Sequence, residues 1–156
     1  MILRGRDLST FELRVAGYQF PELDYDLWDS NWLMVEIEAA PVDERPWVAA
    51  DPSLLTWEVE RLSHWLDALA SRLSVEDEED FVEPNLRFEV IARENGTFIL
   101  RVYFELELRP PWFFADAAGM DDLWMDLEVD SDDLRVAAED LRRDLERYPP
   151  RAGGTP

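Results

Sequence analysis

The feature that most constrains the fold is the dipeptide Asn95-Gly96, which lies between two segments of alternating apolar and polar residues. Asn-Gly is the favoured pair for a tight two-residue hairpin turn, because both central residues need a positive φ. A period of two is typical of a half-buried strand. The sequence therefore predicts a central antiparallel hairpin near 86–108. Its apolar positions are Phe88, Val90, Phe98, Leu100, Val102, Phe104, Leu106 and Leu108.

The same patterns elsewhere predict the rest of the fold. Alternation near 11–17, 31–40, 47–50 and 123–129 brings the expected total to about six strands. Apolar residues at helical spacing predict two amphipathic helices, at about 54–73 and 132–147, with Ser131 as the cap of the second. The fold class is therefore α+β, with an antiparallel sheet. A chain of 156 residues suits one domain, expected over 1–150 and followed by a disordered tail at 151–156.

A cluster of short polar residues precedes the strand at 31–40. Asp24, Asp26, Asp29 and Ser30 are residues whose side chains bond to nearby backbone amides, so they predict a turn. Three aspartates also suggest a calcium loop. However, Trp28 occupies the place of the third ligand and the required glycine is missing. The sequence therefore favours a structural turn and predicts neither a metal nor any other cofactor.

The same turn carries a family resemblance. The pattern Asp26-x-x-Asp29-x-Asn31-Trp32-Leu33, followed by an alternating strand, resembles the opening motif of the WapI family of bacterial immunity proteins. Trp47 and then Leu54-Leu55-Thr56-Trp57-Glu58-Val59, leading into Leu62 and Trp65-Leu66, resemble that family's strand-to-helix segment. The resemblance lies mainly in residues 11–70. It implies a non-catalytic protein that blocks a cognate polymorphic toxin, a nuclease in the type member, and Asp26 and Asp29 then become candidate contact residues.

Charge narrows the choice of partner. Fifteen basic residues against 36 acidic ones give a net charge of −21, which argues against binding to nucleic acid and favours encounter with a basic protein. Acidic residues are densest in a predicted loop from Ser74 to Pro84, as an unbroken run of Glu76, Asp77, Glu78, Glu79 and Asp80. Such a run is normally a mobile, solvated segment. The alternative is an electrostatic contact for a basic partner.

A second candidate contact is aromatic. Trp112 and Phe113 follow two prolines in a predicted loop. Aromatic residues in such a position either fold back as a lid over the core or stand exposed as interface anchors. The rarity of large exposed apolar patches on monomers favours the lid.

Catalytic residues are hard to assemble from this sequence. His64 is the single histidine, and its position on the first predicted helix lies away from the apolar stripe. Neither a nucleophile with its base nor a glycine-rich phosphate loop is present in the pattern. Carboxylate pairs remain, but 36 acidic residues make pairs common by chance. An enzyme is therefore the least favoured of the function classes.

Three functions stay open at this point. The resemblance favours an immunity protein, the second possibility is a structural or homo-oligomerising domain, and the third is a carboxylate enzyme. The sequence leaves the oligomeric state undetermined. Neither a signal peptide nor an apolar run of about 18 residues is visible, so no membrane partner and a cytoplasmic location are expected.

Overall fold

The chain runs through two four-stranded antiparallel meanders, and an α-helix follows each of them. The computed structural model describes residues 1–113 and 122–152, and its strands and helices lie within those two ranges. The first half consists of β1 (Ile2–Arg4), β2 (Thr10–Tyr18), β3 (Trp32–Ala40), β4 (Trp47–Leu55) and α1 (Thr56–Ala70). The second half consists of β5 (Glu78–Asp80), β6 (Leu86–Glu94), β7 (Thr97–Phe104), β8 (Leu123–Asp130) and α2 (Ser131–Arg147). In each sheet the strands lie side by side in sequence order.

The predicted α+β class is confirmed, but the number of strands differs from the prediction. The described residues contain eight strands in two sheets, where the sequence predicted about six in one sheet. One reason is that β5 has only three residues, too few to show a period of two. The other is that α1 separates β4 from β5, and strand pairing does not continue across it.

The predicted hairpin is confirmed as the pair β6–β7. Asn95 and Gly96 have φ values of 51° and 88°, and Glu94 pairs with Thr97 across the turn. Leu100, Val102 and Phe104 are buried, as the alternation predicted. β7 lies between β6 and β8, so the hairpin's second strand is interior to its sheet.

The second strand of the hairpin ends earlier than the prediction of residue 108. Leu106 has a φ of 46°, a left-handed conformation that does not continue a strand. Residues Leu106–Leu108 instead form a turn of 3-10 helix. Leu108 is buried, and its carbonyl accepts a hydrogen bond of 3.0 Å from Trp47 Nε1–H. The alternating pattern therefore continues in the sequence beyond the strand itself.

The inner faces of the two sheets pack against each other around aromatic rings. The ring centroid of Phe11 in β2 lies 5.9 Å from that of Phe88 in β6 and 5.8 Å from that of Phe104 in β7. Trp47 in β4 contacts Phe104 at a centroid distance of 4.9 Å. These edge-to-face arrangements are preferred by aromatic pairs. They join both sheets into one hydrophobic core, which also includes α1 and α2.

The first helix is shorter than the predicted range 54–73. Leu54 and Leu55 remain in β4, where they pair with Leu33 and Trp32 of β3. At the other end Arg72 has a φ of 56°, which stops the helix, and Leu73 is exposed rather than part of the apolar stripe. β4 is an edge strand, and it can include Pro52 because one side of it has no neighbouring strand.

The second helix agrees with the prediction apart from its cap. The cap is Asp130 rather than Ser131, because Asp130 Oδ1 accepts hydrogen bonds from the backbone N–H groups of Asp132 and Asp133 at 2.8 and 3.1 Å. A carboxylate suits this position, since it faces the positive end of the helix dipole. α1 and α2 pack against each other, and Arg142 bonds to Asp67 across them at 2.9 Å. No described helix is long and apolar enough to cross a membrane.

The two sheets also meet along one pair of edges. The N–H of Arg6, just after β1, donates to the carbonyl of Glu128 in β8 at 3.1 Å. The Arg6 guanidinium reaches the Glu128 carboxylate at 2.8 Å. This junction places the β1–β2 turn beside β8.

Candidate functional site

The acidic turn before β3 has the structural role that its composition predicts. Asp26 Oδ1 accepts hydrogen bonds from the backbone N–H groups of Trp28 and Asp29 at 2.9 and 2.8 Å. Ser30 Oγ accepts a further bond from the N–H of Asp26 at 3.1 Å. Residues Asp29–Asn31 then form a turn of 3-10 helix. Both aspartates are exposed, but Asp26 is engaged in hydrogen bonds within the turn.

The predicted loop from Ser74 to Pro84 is interrupted by a short strand, which takes up three residues of the acidic run. Residues Glu78–Asp80 are strand β5, paired with β6. The physical reason is burial on one side of the chain, because Phe81 packs against Phe88 at a ring-centroid distance of 6.1 Å and Glu79 is almost buried. This segment is therefore attached to the second sheet and presents its charges in a defined position.

Arginines neutralise the middle of the acidic run. Their ion pairs are Arg61–Glu79, Arg87–Glu78 and Arg93–Asp77. The carboxylates of Glu76 and Asp80 form no ion pair with any residue that the structure describes, and both residues are exposed. Of the five predicted contact residues, these two offer the most available charge.

The aromatic candidates pack towards the core. Trp112 is half-buried, with its ring centroid 6.4 Å from that of Trp47 and the Arg45 guanidinium 4.4 Å from the ring. Phe113 lies under the guanidinium of Arg109 at 5.0 Å. These contacts favour the lid over the exposed anchor for Trp112. Contact of either residue with a partner stays a prediction.

An acidic cleft brings together carboxylates that are far apart in the sequence. Asp29, Asp51, Glu83 and Glu107 line an open cleft of about 410 Å³, together with Gln19, Phe20, Trp32 and Pro52. The lining includes no arginine. None of the four carboxylates forms an ion pair with another described residue. The cleft therefore concentrates negative charge beside aromatic surface.

Asp51 is the carboxylate of this cleft that an amide side chain contacts directly. Its Oδ2 accepts a hydrogen bond of 3.0 Å from Asn85 Nδ2–H. Burial raises the pKa of Asp51, and the nearby charge of Glu107 raises it further. An approaching cation would relieve this repulsion. The cleft is thus suited to receive a basic side chain rather than a phosphate.

The geometry of the described residues offers little for catalysis. His64 is exposed on α1, as its position predicted. Burial raises the pKa of Glu58, but its two carboxylate oxygens accept hydrogen bonds from the N–H groups of Leu55 and Val82 at 2.9 and 2.8 Å. This carboxylate joins the start of α1 to the segment after β5. Within 1–113 and 122–152, no three histidine, aspartate or glutamate side chains are placed so that they could hold a metal ion together.

Comparison with known proteins identifies the family. The model of the Immunity protein WapI-like family matches residues 1–149. The chain belongs to this family. The match extends far beyond the resemblance in residues 11–70 and covers both halves of the fold. No curated protein and no solved structure gives a significant match to the chain.

Asn31 of the WapI-like motif is held by hydrogen bonds to three separate segments of the chain. Its Oδ1 accepts hydrogen bonds from Thr56 Oγ1–H at 2.8 Å and from the Arg151 N–H at 2.9 Å. Its Nδ2 donates to the carbonyls of Leu27 and Arg151 at 2.7 and 3.1 Å. The buried amide therefore joins the acidic turn, the start of α1 and the C-terminal segment. These contacts give the motif a structural role in this chain.

Arg151 belongs to the segment that was expected to be a disordered tail. Its guanidinium donates to the carbonyls of Phe20, Pro21 and Leu23, and it lies 3.4 Å from the ring centroid of Tyr18. Together with the bonds to Asn31, these contacts hold Arg151 against the WapI-like turn. Residues 153–156 lie outside the described residues, and their disorder stays a prediction.

Sequence reasoning missed most of the acidic cleft. The sequence pointed to Asp29 but not to Asp51, Glu83 or Glu107. Asp51 lies within β4, Glu83 follows β5 and Glu107 lies in the 3-10 turn after β7, so no local spacing connects them. The sequence gives one indirect indication of an acidic surface. No arginine occurs between Asp24 and Glu44, although this segment has five other acidic residues.

Proposed function

We propose that this chain is an immunity protein that binds a cognate polymorphic toxin and blocks the toxin's active site by occlusion. The observation that carries the proposal is family membership over residues 1–149. The acidic cleft and the exposed carboxylates of Glu76 and Asp80 support it, because they offer negative charge to a basic partner. The proposed partner is a toxin domain with a positively charged surface.

A nuclease domain is the proposed kind of toxin. Enzymes that act on nucleic acids hold phosphates with basic residues. Carboxylates placed over such a surface occupy the positions of phosphates without being substrates. A net charge of −21 also attracts a basic domain over long range and raises its association rate. Inhibition by this route needs no catalytic residue, so the proposed immunity protein is not an enzyme. Its proposed place of action is the cytoplasm of the producing cell, where it would meet the toxin that the cell makes.

The direct test is binding and inhibition with a purified toxin domain. The C-terminal domain of a polymorphic toxin encoded immediately upstream is immobilised, and association and dissociation of this chain are recorded. We expect tight, saturable binding and loss of toxin activity at a one-to-one ratio. A basic domain from an unrelated toxin is the matched control and should bind weakly or not at all. Absence of binding to every toxin domain encoded nearby would overturn the proposed function.

A further inference from the structure

Two large apolar side chains stand exposed at one open cleft, and a third stands exposed in a turn whose flanking residues line the same cleft. Leu8 in the β1–β2 turn, Val42 in the β3–β4 loop and Trp124 at the start of β8 are exposed by 85%, 56% and 46%. We name them the Leu8 patch. Val42 and Trp124 line one open cleft of about 310 Å³, and so do Asp7 and Ser9, the two neighbours of Leu8. The junction between β1 and β8 brings these three segments together.

The fold itself does not require leucine at position 8. Leu8 has a φ of 77°, a conformation that is unfavourable for a bulky residue and common for glycine and asparagine. The turn is formed by other groups, because the Leu8 N–H donates to the Gly5 carbonyl and Asp7 Oδ1 accepts from the Ser9 N–H, both at 3.0 Å. The Leu8 side chain therefore adds backbone strain and remains in water. Strain of this kind is concentrated at functional sites.

The rim of the Leu8 patch is acidic. Asp7, Asp43, Glu44 and Asp126 line the same cleft, and the lining contains no arginine. Arg101 lies behind Trp124, with its guanidinium 4.7 Å from the ring, and pairs with Asp126 at 2.7 Å. Asp43 and Glu44 form no ion pair with a described residue. An apolar centre with a polar rim is the usual anatomy of a protein interface.

Charge decides which partner fits this surface. A second copy of the chain would bring another net charge of −21 against an acidic rim, so self-association is disfavoured. A segment with an apolar side chain flanked by lysine or arginine fits this surface, because the apolar side chain can pack on the centre and the basic side chains can pair with the rim. We propose that the Leu8 patch is the anchoring surface for such a basic segment of a protein partner. This inference rests on the proposed function, which makes the partner a basic toxin domain.

The test uses substitutions that remove apolar surface without disturbing the fold. Asparagine accepts a positive φ, so Leu8→Asn should leave the chain as stable as before or more stable. Val42→Gln removes the second apolar group, and Val136→Gln is the matched control because Val136 on α2 is exposed by 51%. Each variant is measured by surface-bound kinetics against the toxin domain encoded upstream, and its thermal stability is recorded in parallel.

The expected result is specific to the patch. The double variant L8N/V42Q should bind at least about tenfold more weakly, mostly through faster dissociation, with a thermal stability no lower than that of the parent chain. V136Q should bind like the parent chain. If the parent chain binds and L8N/V42Q binds equally well, the Leu8 patch is not the anchor and the proposed function stands. If the parent chain does not bind, the proposed function fails. A parent chain that is dimeric in light scattering, with a monomeric L8N/V42Q variant, would assign the patch to a second copy and overturn the inference.

Discussion

At the scale of single residues, Asn31 joins three parts of the chain that are far apart in the sequence. Its side chain is buried and forms hydrogen bonds with Leu27, Thr56 and Arg151. A buried amide that uses both its donor and its acceptor is costly to remove, because its former partners are left without hydrogen bonds. This residue therefore links the sequence motif to the stability of the whole domain.

Asn31→Ala should accordingly lower the free energy of unfolding by roughly 2–4 kcal/mol. Thr56→Val, which removes one of these hydrogen bonds and keeps the shape of the side chain, is the comparison and should cost about 1 kcal/mol. Urea denaturation followed by tryptophan fluorescence measures both. Equal losses in the two variants would show that the amide does not act as a shared partner.

A second residue-scale prediction concerns pH. Burial and the charge of Glu107 raise the pKa of Asp51 in the folded protein above its value in the unfolded chain. The folded state then binds this proton more tightly, so the contribution of Asp51 to stability falls as pH rises through the folded pKa. Asp51→Asn removes this titration. The free energy of unfolding of the variant, minus that of the parent chain, should therefore increase from about pH 4 to pH 7.

Urea denaturation at three pH values over that interval measures the difference. Glu107→Gln is the second variant, because Glu107 is one of the causes of the shift. It should weaken the pH dependence without abolishing it, since burial remains. A stability difference between Asp51→Asn and the parent chain that does not change with pH would refute the perturbed titration of Asp51.

At the scale of elements, the sequence predicted those helices and strands that depend mainly on residues close to one another in the chain. The β6–β7 hairpin needs only an Asn-Gly turn and alternation on either side of it, and both are visible in the sequence. α2 likewise has its cap and its apolar stripe within 18 consecutive residues. β5 was missed because its acidic run suggests a solvated loop, whereas contacts with Arg61 and Phe88 make it a strand. Contacts between residues that are distant in the chain do not produce a periodic pattern in the sequence.

The hairpin also carries the element-scale prediction. Leu100 and Phe104 are fully buried in β7, the strand that contacts the rings of the other sheet. Leu100→Ala or Phe104→Ala should lower the free energy of unfolding by roughly 2–5 kcal/mol, because a cavity remains in a packed core. Ile91→Ala in the adjacent strand is the control, since Ile91 is exposed by 43%. A loss in the control as large as in Leu100→Ala would mean that β6, rather than β7, dominates the core.

At the scale of the whole molecule, the order ββββα occurs twice, and neither half is independent of the other. Phe11 and Trp47 of the first sheet reach the rings of the second, and α1 packs on α2. The acidic cleft likewise combines Asp29 and Asp51 from the first half with Glu83 and Glu107 from the second. A site of this kind depends on how the two sheets are arranged. Reading the chain segment by segment could not predict it, although the net charge pointed to a basic partner.

The charge of the whole molecule leads to a kinetic prediction. Exposed charges act mostly on the association rate, and salt screens them over about 8 Å at physiological ionic strength. Glu76 and Asp80 are the carboxylates of the acidic run without ion pairs, so Glu76→Gln with Asp80→Asn removes charge while the Arg61–Glu79 pair and β5 remain. Association with the toxin domain should slow about two- to fivefold at low salt, with dissociation nearly unchanged.

The matched control separates local contact from long-range attraction. Glu139→Gln with Glu146→Gln removes the same charge from exposed positions on α2. If the acidic run faces the approaching partner, Glu76→Gln with Asp80→Asn should slow association more than the two substitutions on α2. Its salt dependence should also become flatter, because fewer charges remain to be screened at the point of encounter. Equal slowing in both variants would mean that only the net charge steers the partner, and the acidic run would then lose its role as a contact surface.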